Sequence, residues 1–289
     1  MTVINTNISA NIARDAIGRN DRAMSTSMER LSTGLRINSA KDDAAGLAIA
    51  NRMAGQISGL NMAKRNANDA ISMIQTIEGA SKEISSMLVR MRELAVQSAS
   101  GTYSQSDRDA LELEFVALRN EITRIQENTK WNGKALMDDI TAGSPNTVNI
   151  QLGASSGQTM SIIFEDWSVD DDGVYGGTAD DLGTATIDGA DEATAITAAS
   201  SAITVLDTAI TGATAEQAKY GAYLSRLQHA SDNIGNVSTN LDQSRSRIED
   251  ADYAVETTEL ARTQIIAQAS TAMLAQANQV KQTVLALLQ

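Results

Sequence analysis

Cysteine is absent from the 289-residue sequence, and proline, histidine and aromatic residues are scarce. Without cysteine the chain cannot form a disulfide, use a catalytic thiolate or bind a metal through sulfur. The chain has a single histidine, His229, so no site can be built from several histidines. His229 falls beside a helical stripe. Aromatic residues make up 3% of the chain, which is little for a compact core. We therefore predict no catalytic residues, no metal site and no cofactor.

Basic residues are also in deficit, because 23 Lys and Arg against 36 Asp and Glu give a formal net charge of −13. Such a chain is repelled by nucleic acid and by anionic membranes, so we expect neither as a partner. No window approaches a membrane span, and the first 20 residues lack the apolar core and basic lead of a secretory signal. We expect either a cytosolic protein or export by a route that cleaves no signal peptide.

The longest ordered pattern is an apolar stripe between residues 196 and 248, with a mean step of about 3.5 residues. Its members are Ile196, Ala199, Ile203, Leu206, Ile210, Ala213, Tyr220, Leu224, Leu227, Ile234, Leu241 and Ile248. A single helix of this length would span about 80 Å. So narrow a stripe needs other helices alongside, from this chain or from further copies. A long helix inside a compact bundle is the alternative.

Both ends of the chain carry thinner apolar stripes, which would be marginal as isolated helices. The residues that we expect to assemble with other copies are Ile4, Ile8, Ile12, Leu31, Leu35, Ile265, Met273, Val284, Leu285, Leu287 and Leu288. We predict that the two ends fold on each other and on the ends of other copies, and that they are disordered in the monomer.

Between these stripes, apolar residues in the range 57–95 recur every three or four positions, and Ser100-Gly101 marks a break in the pattern. Two helix starts are predicted from local signals. Asp42 and Asp43 are placed in a first helical turn, where the helix dipole favours acids. Ser106 with Asp109 three residues on resembles a capping box that opens a short helix. These segments and the long stripe predict a three- or four-helix antiparallel bundle.

The helical pattern stops at residues 131–134, where Asn132-Gly133 predicts a tight turn. Alternating apolar residues at 148–152 and 160–164 then predict a β-hairpin with one buried face. Residues 165–192 are rich in Asp and Gly, so we predict a solvated loop or a small β-excursion rather than core. Residues 170–173 read DDDG, and weak surface cation binding there is an alternative, although the spacing of an EF-hand is missing.

Several motifs are similar to those of bacterial flagellins. They are LSTGLRINSAKDDAAGLAIANRM at 31–53, RNAND at 65–69, RELAVQS at 92–98, NIQLGASSGQTMSI at 149–162, RSRIEDADY at 245–253 and AQANQV at 275–280. The resemblance covers roughly residues 1–165 and 193–289. One departure is Lys281, which stands where many flagellins have proline, so the last helix is expected to continue without a kink.

The resemblance implies a mainly α fold, an elongated rod of long antiparallel helices in a coiled-coil-like bundle. A small β-hairpin near 147–164 and a short irregular acidic insertion complete it. Residues 1–40 and 250–289 would form a terminal coiled-coil domain. Residues 41–164 and 193–249 would form the helical bundle domain. Residues 165–192 would be a short variable surface insertion, smaller than in most flagellins.

The function implied is a non-enzymatic subunit that polymerises into the bacterial flagellar filament for swimming. The subunit would be exported unfolded, without a cleaved signal peptide, to the extracellular flagellum. Implied partners are copies of itself, an export chaperone, the filament cap and the hook-associated proteins. A host Toll-like receptor is also implied, at Arg90, Leu94, Gln97 and Glu114, of which the first three are expected to share one helix face.

Two other functions remain open from the sequence. A hook–filament junction protein shares related terminal helices, and electron microscopy would distinguish its short oligomers from long filaments. A flagellin-like glycan-binding surface protein is the other alternative. Trp167 and Tyr175 in the acidic segment are aromatic but form no obvious sugar platform.

Overall fold

The computed structural model describes residues 7–137, 146–169, 174–175 and 182–286, with side chains described as far as residue 279. In these ranges the elements are α1 (Ile8–Thr33), α2 (Ala44–Ser98), α3 (Gln105–Asn128), β1 (Lys130–Trp131), β2 (Lys134–Ala135), β3 (Asn146–Gln151), β4 (Thr159–Phe164), α4 (Glu192–Glu249) and α5 (Tyr253–Ala286). The mainly α fold with a small β-hairpin is thus confirmed. The chain divides into two compact units, which we name the terminal unit (Met1–Ile57 with Thr239–Gln289) and the central unit (Ser58–Ser238).

In the terminal unit, α1 and α5 lie antiparallel, and we call them the terminal helix pair. Asn7 Nδ2 donates to the Ala277 carbonyl at 3.3 Å, and Asn20 Nδ2 donates to the Thr263 carbonyl at 2.8 Å. As partners advance along α1 their counterparts recede along α5, which is the pattern of antiparallel helices. The prediction that the two ends fold on each other is confirmed. The helix α5 also continues through Lys281.

The start of α2 differs from the prediction, because both acids precede the helix instead of occupying its first turn. Asp43 Oδ1 accepts from the Gly46 N–H at 2.9 Å and so caps the helix. Asp42 Oδ2 accepts from the N–H and the hydroxyl of Ser39, each at 3.0 Å. These bonds, the Ser39 hydroxyl first, lower the pKa of Asp42. The local hydrogen bonds, more than the helix dipole, account for the two acids.

The capping box of α3 is two residues earlier than predicted. Ser104 is the N-cap, with extended backbone, and Asp107 is the reciprocal partner at the third helical position. The Asp107 carboxylate accepts from the Ser104 N–H at 3.0 Å and from its hydroxyl at 2.7 Å. Ser106 and Asp109 therefore lie inside the helix, and the prediction for them was wrong.

In the central unit, α4 lies antiparallel to α2 and packs its apolar stripe against it. Arg92 Nε is 2.5 Å from Asp207 Oδ1, and Gln217 Nε2 donates to Ser85 Oγ at 2.8 Å. Gln217 is thus a polar residue on the apolar stripe of α4, and its hydrogen bond joins that helix to α2. Buried members of the predicted stripe are Ala199, Leu206, Ala213, Tyr220, Leu227 and Ile234. Much of this seam is alanine, which lets the helices approach closely while burying little area per residue.

One expectation about α4 was wrong. Among the described residues, an 18-residue window of this helix reaches a mean hydropathy of 1.4, enough by length and composition to cross a membrane. A third of that window is buried inside the protein. The run is rich in Ala, Ile and Thr and poor in charge, which raises its mean hydropathy. A single helix of this kind is weak evidence for a membrane span, because core helices pass the same test.

Two antiparallel hairpins follow α3, where the sequence predicted a tight turn at Asn132-Gly133 and one hairpin near 147–164. In β1–β2 the turn residues Asn132 and Gly133 have φ values of 48° and 79°, the left-handed pair that a two-residue hairpin with right-handed twist requires. In β3–β4, Asn146 pairs with Phe164 and Gln151 with Thr159. The inward side chains of β4 are fully or nearly fully buried. The buried-face prediction is therefore confirmed.

The acidic segment after β4 is part of the core where the structure describes it, so its prediction as a solvated loop was wrong. Its buried side chains are Trp167, Val169, Val174, Tyr175, Leu182 and Ile187. The Trp167 and Tyr175 rings meet edge to face at 6.1 Å, and Trp167 Nε1 donates to the Tyr220 hydroxyl at 3.1 Å. The apolar residues are spaced between polar ones, so each can turn inward to the core. The DDDG run at 170–173 lies outside the described residues.

Side chains of α2 and α3 hold the end of this segment through its main chain. Ser98 Oγ donates to the Ile187 carbonyl at 2.5 Å, and Glu112 Oε2 accepts from the Ile187 N–H at 2.8 Å. Arg119 Nη1 donates to the Gly183 carbonyl at 2.8 Å. Burial raises the pKa of Glu112, against the lowering effect of the Ile187 N–H. Because main-chain atoms are contacted, these bonds place few demands on the sequence of the segment.

Arg108, in the first turns of α3, is fully buried and joins two helix ends. Its Nη1 donates to the Glu192 carbonyl at 3.2 Å, at the start of α4. Its Nη2 donates to the Ser100 carbonyl at 2.8 Å, in the turn between α2 and α3. A buried guanidinium requires such acceptors, since an unpaired buried charge is costly.

Candidate functional site

The contact between the two helices of the terminal pair is mixed in character: Ala10 is buried and Ile17, Met24, Leu31, Leu260 and Leu274 are half-buried, beside a buried polar set. Asn20, Ser27, Glu256 and Thr263 are all buried, at 8% exposure or less. Arg30 Nη1 lies 2.9 Å from Glu256 Oε1, and the Glu256 side chain is only 9% exposed. This polar set was missed from the sequence. A signal for it exists, because Asn20 and Ser27, and likewise Glu256 and Thr263, are seven residues apart and so share a helix face.

The outward faces of the same pair are apolar. Exposed large hydrophobic residues are Ile8 54%, Ile12 62%, Met28 55%, Val255 61%, Ile265 67% and Met273 67%. A groove of about 370 Å³ between the helices is lined by Ile12, Ala16, Ile266 and Met273 among others. The helix pair therefore buries several polar groups at its inner contact while it leaves large apolar side chains exposed outside. Such a surface needs further protein to cover it.

The predicted assembly residues fall into three groups. Four are exposed on the terminal helix pair, namely Ile8, Ile12, Ile265 and Met273, and two are half-buried, Leu31 and Leu35. Val284 and Leu285 belong to α5, but their side chains lie outside the described set. Ile4, Leu287 and Leu288 lie outside the described residues altogether.

A second surface of interest lies on α2 and α3 in the central unit. Arg90 Nε is 2.9 Å from Glu114 Oε1, and Arg90 Nη1 is 3.0 Å from Glu93 Oε2. The hydrogen bond from Glu114, followed by that from Glu93, raises the pKa of Arg90. Gln97 is exposed nearby. The structure therefore brings Arg90 and Glu114, from different helices, into direct contact.

Leu94 does not share this surface. Its side chain is 0% exposed and belongs to the core of the central unit. Spacings of four and three placed Arg90, Leu94 and Gln97 on one face, but that face is wide enough to include both core and surface. The expectation that all three present their side chains together is corrected on this point.

An apolar projection next to this surface was also missed. Leu113 is 75% exposed, the highest value among the exposed large hydrophobic residues described, and Val89 and Val96 on α2 are 47% and 48% exposed. The Arg90–Glu114 ion pair places Val89 and Leu113 within one helical turn of each other along the helix axes, since each is one residue from a paired residue. Leu113 is out of phase with the apolar stripe of α3, which is the signal that sequence reading could have used.

Charge is distributed unevenly between the two units. The terminal unit has equal numbers of acidic and basic residues, so the entire acidic excess of the chain belongs to the central unit. Within the ranges that the structure describes, no group of three or more His, Asp or Glu could hold a metal ion. His229 is exposed on α4.

Comparison with known proteins agrees with this architecture. Residues 4–142 match the bacterial flagellin N-terminal helical region, and residues 203–288 match the bacterial flagellin C-terminal helical region. The flagellin of Halalkalibacterium halodurans is 44% identical over 286 residues, covering 99% of each chain. Flagellin A of Vibrio anguillarum is 35% identical over 384 aligned positions, covering 100% of each chain. The longer alignment means that the Vibrio protein contains residues with no counterpart here.

Two solved structures are also similar to this chain. The crystal structure of Bacillus cereus flagellin is 36% identical and covers 59% of this chain and 88% of that one, with a TM-score of 0.47. A provisionally assigned flagellar hook-associated protein from Vibrio parahaemolyticus has a TM-score of 0.58, covers 72% of this chain and 100% of that one, and is 11% identical, which shows the fold alone. With both terminal regions matched and a relative 44% identical from end to end, this chain belongs to the bacterial flagellins, the structural subunits of the flagellar filament.

Proposed function

We propose that subunits join through the apolar outer faces of the terminal helix pair, and that the role of the chain is structural, without catalysis. The observation that carries the proposal is the exposed apolar face of the pair, beside an inner contact that is partly polar. Fully covering one Ile or Met side chain is worth about 1.5–3 kcal/mol. Ile265 and Met273, each 67% exposed, gain most of that only when another molecule covers them.

Polymerisation of Ile265 variants tests this proposal. Ile265→Asp places a charge where an apolar contact is needed. We expect it to raise the critical concentration for polymerisation about 100-fold or more, since 1.4 kcal/mol corresponds to tenfold. Ile265→Leu keeps the position apolar and is the matched control, expected to polymerise nearly as the natural chain does. Equal polymerisation of the Asp and Leu variants would reject the proposed surface.

We further infer that residues 1–40 and 250–289 order fully only in the filament. Ordering a residue costs about 1–2 kcal/mol of backbone entropy, and a pair whose inner contact is partly polar gains less hydrophobic energy to offset it. Hydrogen exchange followed by mass spectrometry tests this directly. The ends should exchange quickly in the dilute monomer and slowly in the filament, while the central unit is protected in both. Strong protection of the ends in the monomer would contradict the inference.

Export is proposed to occur in an unfolded state, without signal-peptide cleavage, with an export chaperone, the filament cap and the hook-associated proteins as partners. Weakly stable ends and the absence of cysteine suit a chain that must remain unfolded in transit. Intact-mass measurement of filament protein should find no N-terminal segment removed beyond the initiating methionine. Loss of a longer segment would reject this route.

Recognition of the monomer by a host Toll-like receptor is proposed at Arg90, Gln97 and Glu114, all exposed, with buried Leu94 supporting the helix beneath them. Glu114→Ala removes one partner of Arg90 and should weaken receptor signalling by purified monomer. Glu83→Ala, an exposed acid elsewhere on α2, is the control. Unchanged signalling by the Glu114 variant would reject the assignment.

A further inference from the structure

Methionine supplies all the sulfur of the chain, which contains 11 methionines and no cysteine. In the central unit, the methionines at 7% exposure or less are Met73, Met91, Met137 and Met160. The exposed methionines among the described residues are Met28 at 55%, Met62 at 47% and Met273 at 67%. Met28 and Met273 lie on the terminal helix pair, so its outer surface carries sulfur that solvent can reach.

Met273 lies in the groove between α1 and α5. Four of the nine lining residues are alanine, which leaves the thioether without a bulky neighbour to cover it. Among the lining side chains, only the hydroxyls of Ser9 and Ser270 can donate a hydrogen bond. The sulfur is therefore open to small solutes in a free subunit, and its surroundings are mainly apolar.

Oxidation of a thioether changes the polarity of its side chain by adding one atom. The sulfur attacks an oxygen of hydrogen peroxide, so that an S–O bond forms, the O–O bond breaks and water leaves after proton transfer. Sulfur loses two electrons and the peroxide gains them. The product, methionine sulfoxide, is polar, and methionine sulfoxide reductases return it to the thioether with a dithiol, which becomes a disulfide as water is released. The exposed aliphatic residues Ile8, Ile12 and Ile265 contain no sulfur to react in this way.

We propose that Met273 is a reversible oxidation site, and that its sulfoxide prevents the terminal helix pair from joining other subunits. The inference rests on the apolar assembly surface proposed above. In a free subunit, water solvates the sulfoxide oxygen. In an assembled subunit, an apolar neighbour displaces that water, and a buried polar oxygen without a donor is costly. Oxidised subunits therefore stay unassembled until the sulfoxide is reduced.

The free subunit is the form that responds to peroxide. Once a neighbouring subunit covers Met273, peroxide reaches its sulfur slowly, since oxidation of methionine depends on access. Existing filaments should thus resist the treatment that blocks free subunits. Met62 is a useful comparison because it is exposed but belongs to α2 in the central unit, outside the groove.

Peroxide treatment of the natural monomer, followed by peptide mapping with mass spectrometry, tests the site. We expect Met273 to be oxidised well before the buried Met91 and Met160, and the critical concentration for polymerisation to rise about tenfold or more. A methionine sulfoxide reductase with dithiothreitol should restore polymerisation. Normal polymerisation of subunits that carry the Met273 sulfoxide would overturn the proposal, and so would equally fast oxidation of Met273 in filaments and in monomers.

Substitutions assign the effect to one residue. Met273→Leu keeps the position apolar without sulfur, and it should polymerise equally well before and after peroxide treatment. Met62→Leu is the matched control and should stay as sensitive to peroxide as the natural chain. Met273→Gln imitates the polar sulfoxide and should raise the critical concentration without any oxidant, whereas Met62→Gln should not. Equal peroxide sensitivity of the two Leu variants would reject Met273 as the site.

The Ile265 variants described above separate this inference from the proposed function. If Ile265→Asp polymerises as well as Ile265→Leu, the assembly surface is wrong, and the oxidation site loses its effect with it. If Ile265→Asp is blocked while subunits with the Met273 sulfoxide polymerise normally, the assembly surface stands and only the oxidation site is wrong.

Discussion

Gly212, within α4, is the point where the Val174–Tyr175 segment approaches the helix most closely. A Cβ atom at Gly212 would lie 1.9 Å from the Val174 carbonyl oxygen and 3.1 Å from its carbonyl carbon. Ordinary C···O contacts begin at about 3.3 Å. Gly212→Ala therefore requires the Val174 main chain to move by about 1.4 Å. A main-chain carbonyl cannot swing aside as the tip of a long side chain can, so we expect the whole segment to shift.

Two opposing effects determine the net stability of Gly212→Ala. Alanine is better than glycine inside a helix by about 1 kcal/mol. Against this, Tyr175 is 2% exposed and packs on Trp167. Complete loss of a buried aromatic side chain of about 150–250 Å² would cost about 4–6 kcal/mol at 25 cal/mol per Å². A partial displacement forfeits part of that, so we expect a net destabilisation of about 1–3 kcal/mol.

Urea unfolding of Gly212→Ala and Gly221→Ala measures this effect against a matched control. Gly221 lies on the same helix, and an added Cβ there meets nothing within 4 Å. The control should therefore be as stable as the natural chain or up to about 1 kcal/mol more stable. In a Trp131→Phe background, emission from Trp167 should shift to longer wavelength only in the Gly212 variant. Equal stability of the two alanine variants, with unchanged emission, would refute the close-approach argument.

Three further substitutions in the central unit test its structure. Arg108→Met leaves two main-chain carbonyls without a donor and should lower the free energy of unfolding by about 2–4 kcal/mol, measured in urea. Arg124→Met, which removes an exposed ion pair, should lower it by under about 1 kcal/mol, and similar losses in the two variants would contradict the role of Arg108 at the helix ends. Ser104→Ala should cost about 1 kcal/mol by thermal unfolding and Ser106→Ala much less, and the reverse order would restore the cap first predicted. Because burial raises the folded-state pKa of Glu112, its contribution is present below the unfolded pKa and is lost as pH rises through the folded value. Glu112→Gln should therefore flatten stability against pH just above 4.5, and an unchanged profile would contradict this.

Periodic features were predictable because they depend on local chemistry alone. The α4 stripe was visible since Leu206, Leu227 and Ile234 repeat at the coiled-coil period, and each is buried. The β1–β2 turn was visible because Asn132-Gly133 tolerates positive φ at both positions. In these cases the signal in the sequence and the cause in the structure are the same.

Features that depend on distant partners were not predictable. Trp167 lies in an acidic, glycine-rich segment, yet it is buried, and its hydrogen-bond partner Tyr220 is 53 residues away on α4, a contact that local composition cannot reveal. The prediction of the α3 cap failed for a different reason. Ser104 and Ser106 are each followed by an acid three residues later, so two overlapping matches compete and the sequence does not rank them. The burial of Leu94 shows a third limit of prediction. Residue spacing gives the direction in which a side chain leaves the helix, but not whether neighbouring elements cover it.

In the assembly proposed here, the buried polar groups of the terminal helix pair and its exposed apolar residues have separate roles. Hydrogen bonds such as Asn20 to the Thr263 carbonyl, and the Arg30–Glu256 ion pair, are directional, so they fix which residues of α1 and α5 lie opposite each other. They contribute little net energy, and they leave Ile8, Ile12, Ile265 and Met273 uncovered. Were Asn20, Ser27, Glu256 and Thr263 apolar instead, the pair would be more stable alone and its alignment less strictly set. In the proposed assembly, polar residues at the inner contact therefore determine alignment, and the exposed apolar residues outside supply the free energy of assembly.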